Sequence, residues 1–370
     1  KMRASFAEVG GPINYTGLTP GTVTDPMKGG VINPISIYPF PNFKAEQTKS
    51  YELGTNLRLF NNKINIDATV YLTDTYNQTF LSSMSPASGY SGFYVQAGKV
   101  RNKGIELSLG YNDRFGKVGY ATNLTYTANR NKIMKMVHDY RNPADGSLFS
   151  ITELTLQDKG GVYLREKDAI GDVYVKGILA RGKDGKLIEE EGGYKVDRSQ
   201  RIKIGSVNPD FSIGWRHNVT WNNLTLDLLF NGRFGGIVTS STQAFLDDYG
   251  VSKDTYKARQ NGGVWVNGTQ YDAEKYYTTI GGEQLMAYYA YKATNIRLQE
   301  ASLSYTLPGK WFGNVINRLT VSAIGRNLWM IYNKAPFDPE MTSSTGTYNR
   351  GDVFMPPSLR SVGFSVKIEL

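Results

Sequence analysis

Hydrophobic and polar residues alternate one for one along the end of this chain. Val362, Phe364, Val366, Ile368 and Leu370 take every second place, and Ser361, Gly363, Ser365, Lys367 and Glu369 fill the gaps. A period of two gives a strand with one apolar and one polar face. The pattern recurs upstream: Tyr51, Leu53, Leu57 and Leu59, then Ile64, Ile66, Ala68 and Val70, then Ile105, Leu107 and Leu109. It returns in Phe211, Ile213 and Trp215, in Leu224, Leu226 and Leu228, in Ala301, Leu303 and Tyr305, and in Leu319, Val321 and Ala323. With 1–9 and 117–130, this predicts ten strands. Ile296 and Leu298 are out of phase with Ala301 and Leu303, which predicts a bulge near Gln299.

The joins alternate in length. Short ones are expected at 61–62, 112–116, 222–223 and 308–317, with Asn61-Asn62 and Asn222-Asn223 as tight turns because asparagine tolerates positive φ. Long loops are expected at 10–48, 75–98, 131–208, 236–292 and 331–357. Two architectures bury such faces. A soluble sandwich packs them on a second sheet. A membrane barrel turns them to lipid, with short turns at one end and long loops at the other. The alternation of short and long joins favours the barrel. Its parity then requires zero or two membrane strands in 131–208, where strand pieces are expected near 162–167 and 172–179.

Composition narrows the choice of chemistry. Zero cysteines in 370 residues exclude a disulfide framework and Cys-ligated zinc. No apolar run is long enough for a transmembrane helix, which leaves a barrel open. The abundant tyrosines suit strands and membrane–water boundaries alike. The formal charge is +9, but the basic residues stand singly at strand ends and in loops. Anionic lipid and lipopolysaccharide, or a merely solvated surface, fit this better than nucleic acid.

The sequence points away from catalysis. His138 and His217 are the only histidines, and spacing places no nucleophile beside either. The glycine pairs at 160–161, 235–236 and 281–282 lack the strand-to-helix setting of phosphate loops. Glu189-Glu190-Glu191 reads as a solvated run, so no metal and no cofactor is expected. Recognition is the better-supported chemistry. Tyr90, Phe93, Tyr94, Asp247, Asp248, Tyr249, Trp265 and Tyr271 place aromatic faces and carboxylates in the long loops. They suit a glycan or peptide ligand, or loop-on-loop packing.

Several phrases resemble one family. They are Asn42-Phe43-Lys44-Ala45-Glu46-Gln47-Thr48 with Tyr51-Glu52-Leu53-Gly54, Asn102-Lys103-Gly104-Ile105-Glu106-Leu107, and Asn208-Pro209-Asp210-Phe211. Leu303-Ser304-Tyr305-Thr306-Leu307-Pro308, Gly325-Arg326-Asn327-Leu328 and Asp338-Pro339-Glu340 follow in the same order. Together they resemble the SusC-type TonB-dependent transporters of Bacteroidota outer membranes. The resemblance implies an all-β fold: the C-terminal half, about ten to twelve strands, of a 22-stranded antiparallel transmembrane β-barrel with long extracellular loops. Residues 1–370 would then form one barrel portion, and the chain does open as if in mid-strand at Lys1-Met2-Arg3. The N-terminal plug and the segment that contacts TonB–ExbB–ExbD would lie upstream.

A SusD-like surface lipoprotein would cap the loops, and oligosaccharides or oligopeptides would be imported at the expense of the proton-motive force. On the polar faces, Arg58, Asp67, Arg216, Asp227, Arg233, Arg297 and Arg326 would face the lumen and touch the plug, since covered polar groups need partners. The sequence departs from the family in ending at Leu370 rather than phenylalanine and in lacking a calcium-loop ladder near Lys183-Asp184-Gly185-Lys186. A siderophore-class receptor without a lid, a non-transporting structural or adhesive barrel, and a soluble binding sandwich are the competing readings.

Overall fold

The period-two segments form strands, and their pairing extends the alternation across neighbours. The computed structural model describes residues 1–12, 22–25, 31–34, 37–38, 44–83, 87, 90, 92–141, 148–156, 162–313, 315–343 and 351–370. Most of the loop expected at 10–48, including the motif residues Asn42-Phe43, the glycine pair 160–161 and positions 344–350 lie outside the described residues. The chain divides into two compact units, residues 1–170 with 213–215, and residues 171–212 with 216–370.

In the first unit, β1 (Met2–Gly10), β2 (Gln47–Leu59), β3 (Ile64–Ser83), β4 (Gly92–Phe115) and β5 (Val118–Lys135) pair antiparallel in chain order. Register sorts the side chains into rows. Ala4, Leu53, Val70, Ile105 and Ala128 share one apolar row, and Leu57, Ile66, Leu109 and Leu124 share another. On the opposite face, Thr48 pairs with Thr75 and Ser50 with Thr73 through their hydroxyls, at 3.2 and 3.0 Å. Gly104 sits where the Tyr71 hydroxyl crosses toward Asn129, and an added Cβ would stand 2.5 Å from that oxygen. This close approach accounts for the glycine in Asn102-Lys103-Gly104-Ile105.

β6 (Phe211–Trp221) precedes a second set. In it, β7 (Leu224–Phe234), β8 (Asn295–Pro308), β9 (Arg318–Asn333) and β10 (Ser361–Glu369) pair antiparallel in chain order. Leu226, Leu303, Ala323 and Phe364 share a row on the apolar face. Among the described residues nothing covers it: Phe364 is 85% exposed, Val362 80% and Leu303 48%. A soluble sandwich would have buried these side chains. On the polar face, Ser304 meets Ser322 and Thr306 meets Thr320, at 2.8 and 3.1 Å.

The buried apolar side chains collect instead at the ends of the strands opposite the short turns. In the first unit Phe80, Val95, Val100, Ile133, Met136, Leu154, Leu156 and Leu164 form such a core. It explains one departure from the sequence reading. The loop expected at 75–98 is mostly strand, because β3 and β4 stay in register from Gln78↔Ala97 to Ser83↔Gly92. Strand Glu153–Leu156 pairs with Val162–Arg165 and touches β3. Alternation fades there because both faces are covered.

Other boundaries also shift. The expected two-residue turn at Asn61-Asn62 is a four-residue loop, with Phe60, Asn61 and Asn62 all at positive φ. The turn expected at 112–116 narrows to 116–117, since Phe115 still pairs with Val118. Asn222-Asn223 does join β6 to β7 directly, with Asn222 at φ 52°. The strand pieces within 148–206 pair in small ladders, and Asp172–Leu179 with Val196–Ser206 forms a separate sheet. The described strands of that stretch lie off the main strand order.

The bulge is where the phase shift put it. Leu229 faces Glu300 and Phe230 faces Leu298, so Gln299 has no partner on β7. On the other side Leu298 faces Trp329 and Glu300 faces Arg326. The extra residue keeps Leu298 on the apolar face with Leu303 and turns Arg297 to the polar face, where it meets Asp338 at 2.8 Å. Deleting Gln299 is expected to shift 295–298 by one place and break that buried pair, at a cost of about 3–5 kcal/mol. Loss of the heat-modifiable folded band on a gel checks this; an unchanged band contradicts it.

Candidate ligand-binding cap and polar wall

Paired charges of opposite sign line the polar face. Arg3 donates to Asp67 at 2.7 Å, and Asn56 donates to the same carboxylate at 3.0 Å. In the second unit Arg216 meets Asp227 at 2.9 Å and Asn218 donates to that carboxylate at 3.3 Å. Glu300 takes Arg326 at 3.0 Å and stands 4.0 Å from Arg216. These groups find partners within their own sheet. The physical reason is register: cross-strand neighbours on one face of a sheet lie close enough to pair. Arg58 is exposed.

Arg233 and Arg297 belong to a buried knot at the long-loop end of the strands. The Arg297 guanidinium donates to Asp338 at 2.8 Å and to Asn295 at 3.2 Å. Asn295 donates to Glu340 at 3.0 Å, and Arg233 lies 3.8 Å from Glu340 and donates to the Val207 carbonyl at 2.6 Å. Asn327 donates to the Ser358 hydroxyl at 2.7 Å. Burial alone would push the Asp338 carboxyl up, but Arg297, Ser358 and the Glu340 amide together hold it below its ordinary range. The phrases Gly325-Arg326-Asn327-Leu328 and Asp338-Pro339-Glu340 thus meet in space. Asn208-Pro209-Asp210-Phe211 reaches the same neighbourhood, with the Phe211 ring stacked on Phe234 at 4.6 Å.

The segment expected as a long loop at 236–292 is a folded cap. Helices α1 (Ser241–Asp248), α2 (Lys253–Gln260) and α3 (Ala273–Gly282) start at Ser240, Ser252 and Asp272, whose side chains accept from the amides of Gln243, Thr255 and Lys275. Ser240 followed by Gln243 is a capping-box pattern, and it is the signal in the sequence for the first helix. α1 and α3 cross at Gly281, where an added Cβ would meet the Ala244 carbonyl at 2.5 Å. Leu179, Leu187 and Tyr194, from the 171–208 stretch, pack with Ala244, Tyr271, Ile280, Leu285 and Tyr289. Neither stretch closes a core alone, and this joint burial is the reason for the fold.

A cavity of about 480 Å³ opens between the three helices, lined by Asp247, Asp248, Tyr249, Arg259, Asp272, Glu274 and Tyr277 among others. It brings together three predicted residues, and sequence reasoning missed Arg259, Asp272 and Glu274. Their signal lay in the caps: Asp272 starts a helix that carries Glu274 and, three residues on, Tyr277. Arg259 donates to the Gly250 carbonyl at 2.8 Å, which ties α2 to the end of α1. Burial pushes the Tyr277 hydroxyl up to about 12. A second cavity, about 460 Å³, flanks α3 with Glu190, Glu191, Arg198 and Glu283.

The remaining predicted residues divide. Tyr249, 76% exposed, stands at the first cavity, and Trp265, 61% exposed, lies on the short hairpin Val264–Tyr271. Tyr271 is only 8% exposed, packs edge-on against Tyr194, and its hydroxyl accepts from the Leu187 amide at 3.0 Å. Asp247 is likewise buried and receives Gln243 at 3.1 Å, so it anchors α1 more than it presents a carboxylate. Phe93 and Tyr94 lie half-buried on β4 rather than in a loop, and Tyr90 is half-buried just before it.

Comparison with known proteins agrees with this geometry. The family described as TonB dependent receptor-like, beta-barrel matches residues 1–161. TonB-dependent receptor P3 of Formosa agariphila is 24% identical over 369 residues, covering 92% of this chain and 36% of the relative. TonB-dependent receptor P39 of the same organism is 21% identical over 357 residues, covering 84% and 34%. The chain thus spans about a third of the length of these curated relatives. Among solved structures, the RagAB peptide importer in its 'open-open' state superposes with a TM-score of 0.72 at 18% identity, covering 100% of this chain and 40% of that chain. The RagAB peptide transporter superposes at 0.70 and 19%, covering 99% and 40%. These likenesses show the fold, a partial antiparallel barrel.

Burial raises the Asp247 carboxyl, partly offset by Ser252, Gln243 and Tyr289. Its folded form therefore holds a proton more tightly than the unfolded chain does. The cap keeps that stability fully below the ordinary value of 3.8 and loses it above, as pH rises through the raised value of the folded form. Asp247→Asn is expected to make the cap more protease-resistant at pH 7, with the gain closing below about pH 4. Limited proteolysis across that range checks the sign.

Proposed function

We propose that the chain carries part of the barrel of a TonB-dependent receptor and that it serves a SusC-type active importer of the outer membrane. Residues 1–370 form one portion of its barrel, with the plug and the remaining strands supplied by the rest of the protein. The apolar rows lie against hydrocarbon and the charge-paired rows face the lumen. Short turns face the periplasm, and the cap and the strand-end cores stand outside the cell. The observation that carries this reading is the uncovered apolar face of β7 to β10, in register over four strands.

Transport rather than catalysis is the proposed role. Ligand binds at the outer end among the cap residues Asp248, Tyr249, Arg259, Asp272, Glu274 and Tyr277. Tyr90, Phe93, Tyr94 and Trp265 are further proposed contacts. Carboxylates accept hydrogen bonds from peptide amines and from sugar hydroxyls, and aromatic faces stack on both. The proposed cargo is an oligopeptide or an oligosaccharide. A SusD-like lipoprotein closes over the loops, and TonB–ExbB–ExbD drives release through the plug. The fold shared with a transporter of peptides supports the peptide class.

Two measurements test the proposal. Cells that carry the complete protein are expected to accumulate labelled oligopeptide or oligosaccharide, and to stop when TonB is deleted or the proton gradient collapses. Uptake that survives both treatments contradicts active import. In reconstituted membranes, Leu303→Arg is expected to cost about 2–4 kcal/mol of folding stability at mid-band, whereas Ser304→Arg on the lumen face costs far less. Equal losses would show that the two faces do not meet different solvents.

A further inference from the structure

The three helices of the cap do not start alike. α2 carries Asp254 in its first turn and α3 carries Glu274, and a carboxylate there balances the partial positive charge of the helix start. α1 carries none. The carboxylate that reaches its start comes from Asp352, 112 residues along the chain from Ser240. The Ser240 hydroxyl donates to Asp352 Oδ2 at 2.7 Å, and the two residues are 0% and 5% exposed. The backbone holds the segments together, since Thr239 and Ser240 pair in parallel with Gly351 and Asp352. Just beyond, the Phe354 amide donates to the Thr242 hydroxyl at 2.6 Å, and the Phe354 ring lies 5.4 Å from that of Phe245.

This contact continues along the helix. The Ser240 oxygen accepts from the Gln243 amide at 2.9 Å, and the Gln243 side chain donates to Asp247 Oδ1 at 3.1 Å. A hydroxyl has one proton and two lone pairs, so the serine serves Asp352 and Gln243 at once, and the carboxylate on its proton strengthens its hold on the amide. Asp247 lines the cavity of about 480 Å³, with Asp248 and Tyr249 beside it. Asp352, Ser240, Gln243 and Asp247 therefore form one row from the last long loop to the cavity wall. The root of that loop is fastened, because Asp338 pairs with Arg297 of β8 at 2.8 Å and accepts from the Ser358 hydroxyl. A helix that needs only an acid can carry its own, as α2 and α3 do. An acid brought in from a fastened loop also fixes where the helix stands.

We propose that Asp352 is a positioning residue for the cap cavity. Through Ser240 and Gln243 it sets where Asp247, and with it Asp248 and Tyr249, stand toward a ligand. It acts by holding α1 and not by touching cargo. The inference rests on the reading of that cavity as the ligand site, and it adds a residue that the cavity lining does not include.

The test uses the complete protein, with hydrogen exchange on the extracted form and uptake of a dye-labelled tryptic digest of casein by cells. The amides of Tyr249, Gly250 and Val251 donate to the carbonyls of Phe245, Asp247 and Leu246, at the far end of α1 from Asp352. Asp352→Ala is expected to speed their exchange on the order of tenfold. The half-saturating concentration for uptake is expected to rise by a like factor, with the maximal rate unchanged. Asp352→Asn keeps an acceptor for the Ser240 hydroxyl and is expected to restore most of both. Asp352→Ala/Ser241→Glu separates positioning from helix stability, because it puts an acid in the first turn without the loop contact. It is expected to slow exchange at Gln243 and Ala244 alone. Recovery at 249–251 as well overturns the proposal, and so does unaltered exchange there, or an unmoved half-saturating concentration, in folded Asp352→Ala. If that variant loses its heat-modifiable band, Gln243→Ala breaks the same row at its middle with the loop contact kept, and unaltered exchange at 249–251 then overturns the proposal equally. Uptake that persists without TonB instead sinks the transport reading, and the exchange result is independent of it.

Discussion

The in-register antiparallel ladder is the constraint on which the rest of this structure depends. Each long strand satisfies its amides through its neighbours, and a period of two then assigns every side chain to one face. Met2↔Thr55↔Ala68↔Leu107↔Tyr126 runs across five strands without a slip. One displaced residue would send arginines and aspartates into the apolar rows. Gln299 shows how tightly this is held, because a single unpaired residue restores the phase between Leu298 and Leu303.

Once the faces are assigned, electrostatics follow at short range. Asp227 holds Arg216 and Asn218, Glu300 holds Arg326, and Asp67 holds Arg3 and Asn56. A wall composed this way presents both donors and acceptors at short range. The Arg297–Asp338 pair extends the same logic into the last long loop, where burial of both partners makes the contact a fastening rather than a surface ornament.

Much of the wall was legible in the chain itself. Alternation from Val362 to Leu370 announced β10, and the phase change at Gln299 announced the bulge. The Asn222-Asn223 turn was legible because asparagine accepts the backbone it requires. What hid from the sequence was structure whose apolar positions come from separate segments. Tyr271, Leu285 and Tyr289 make sense only beside Leu179, Leu187 and Tyr194, and no local period links the two groups. The extension of β3 and β4 to Ser83 and Gly92 hid for a related reason, because both of its faces are covered and alternation has nothing to report. Tyr271 looked like a ligand contact since an isolated loop tyrosine and a core tyrosine read alike.

The cap closes its core from 171–208 and 236–292 without borrowing a side chain from the apolar rows of β7 to β10. Inheritance can therefore act on the two parts independently. A recombination that exchanges one cap for another, with its Ser240, Ser252 and Asp272 caps and the Gly281 crossing, would carry a whole binding surface onto an unchanged wall.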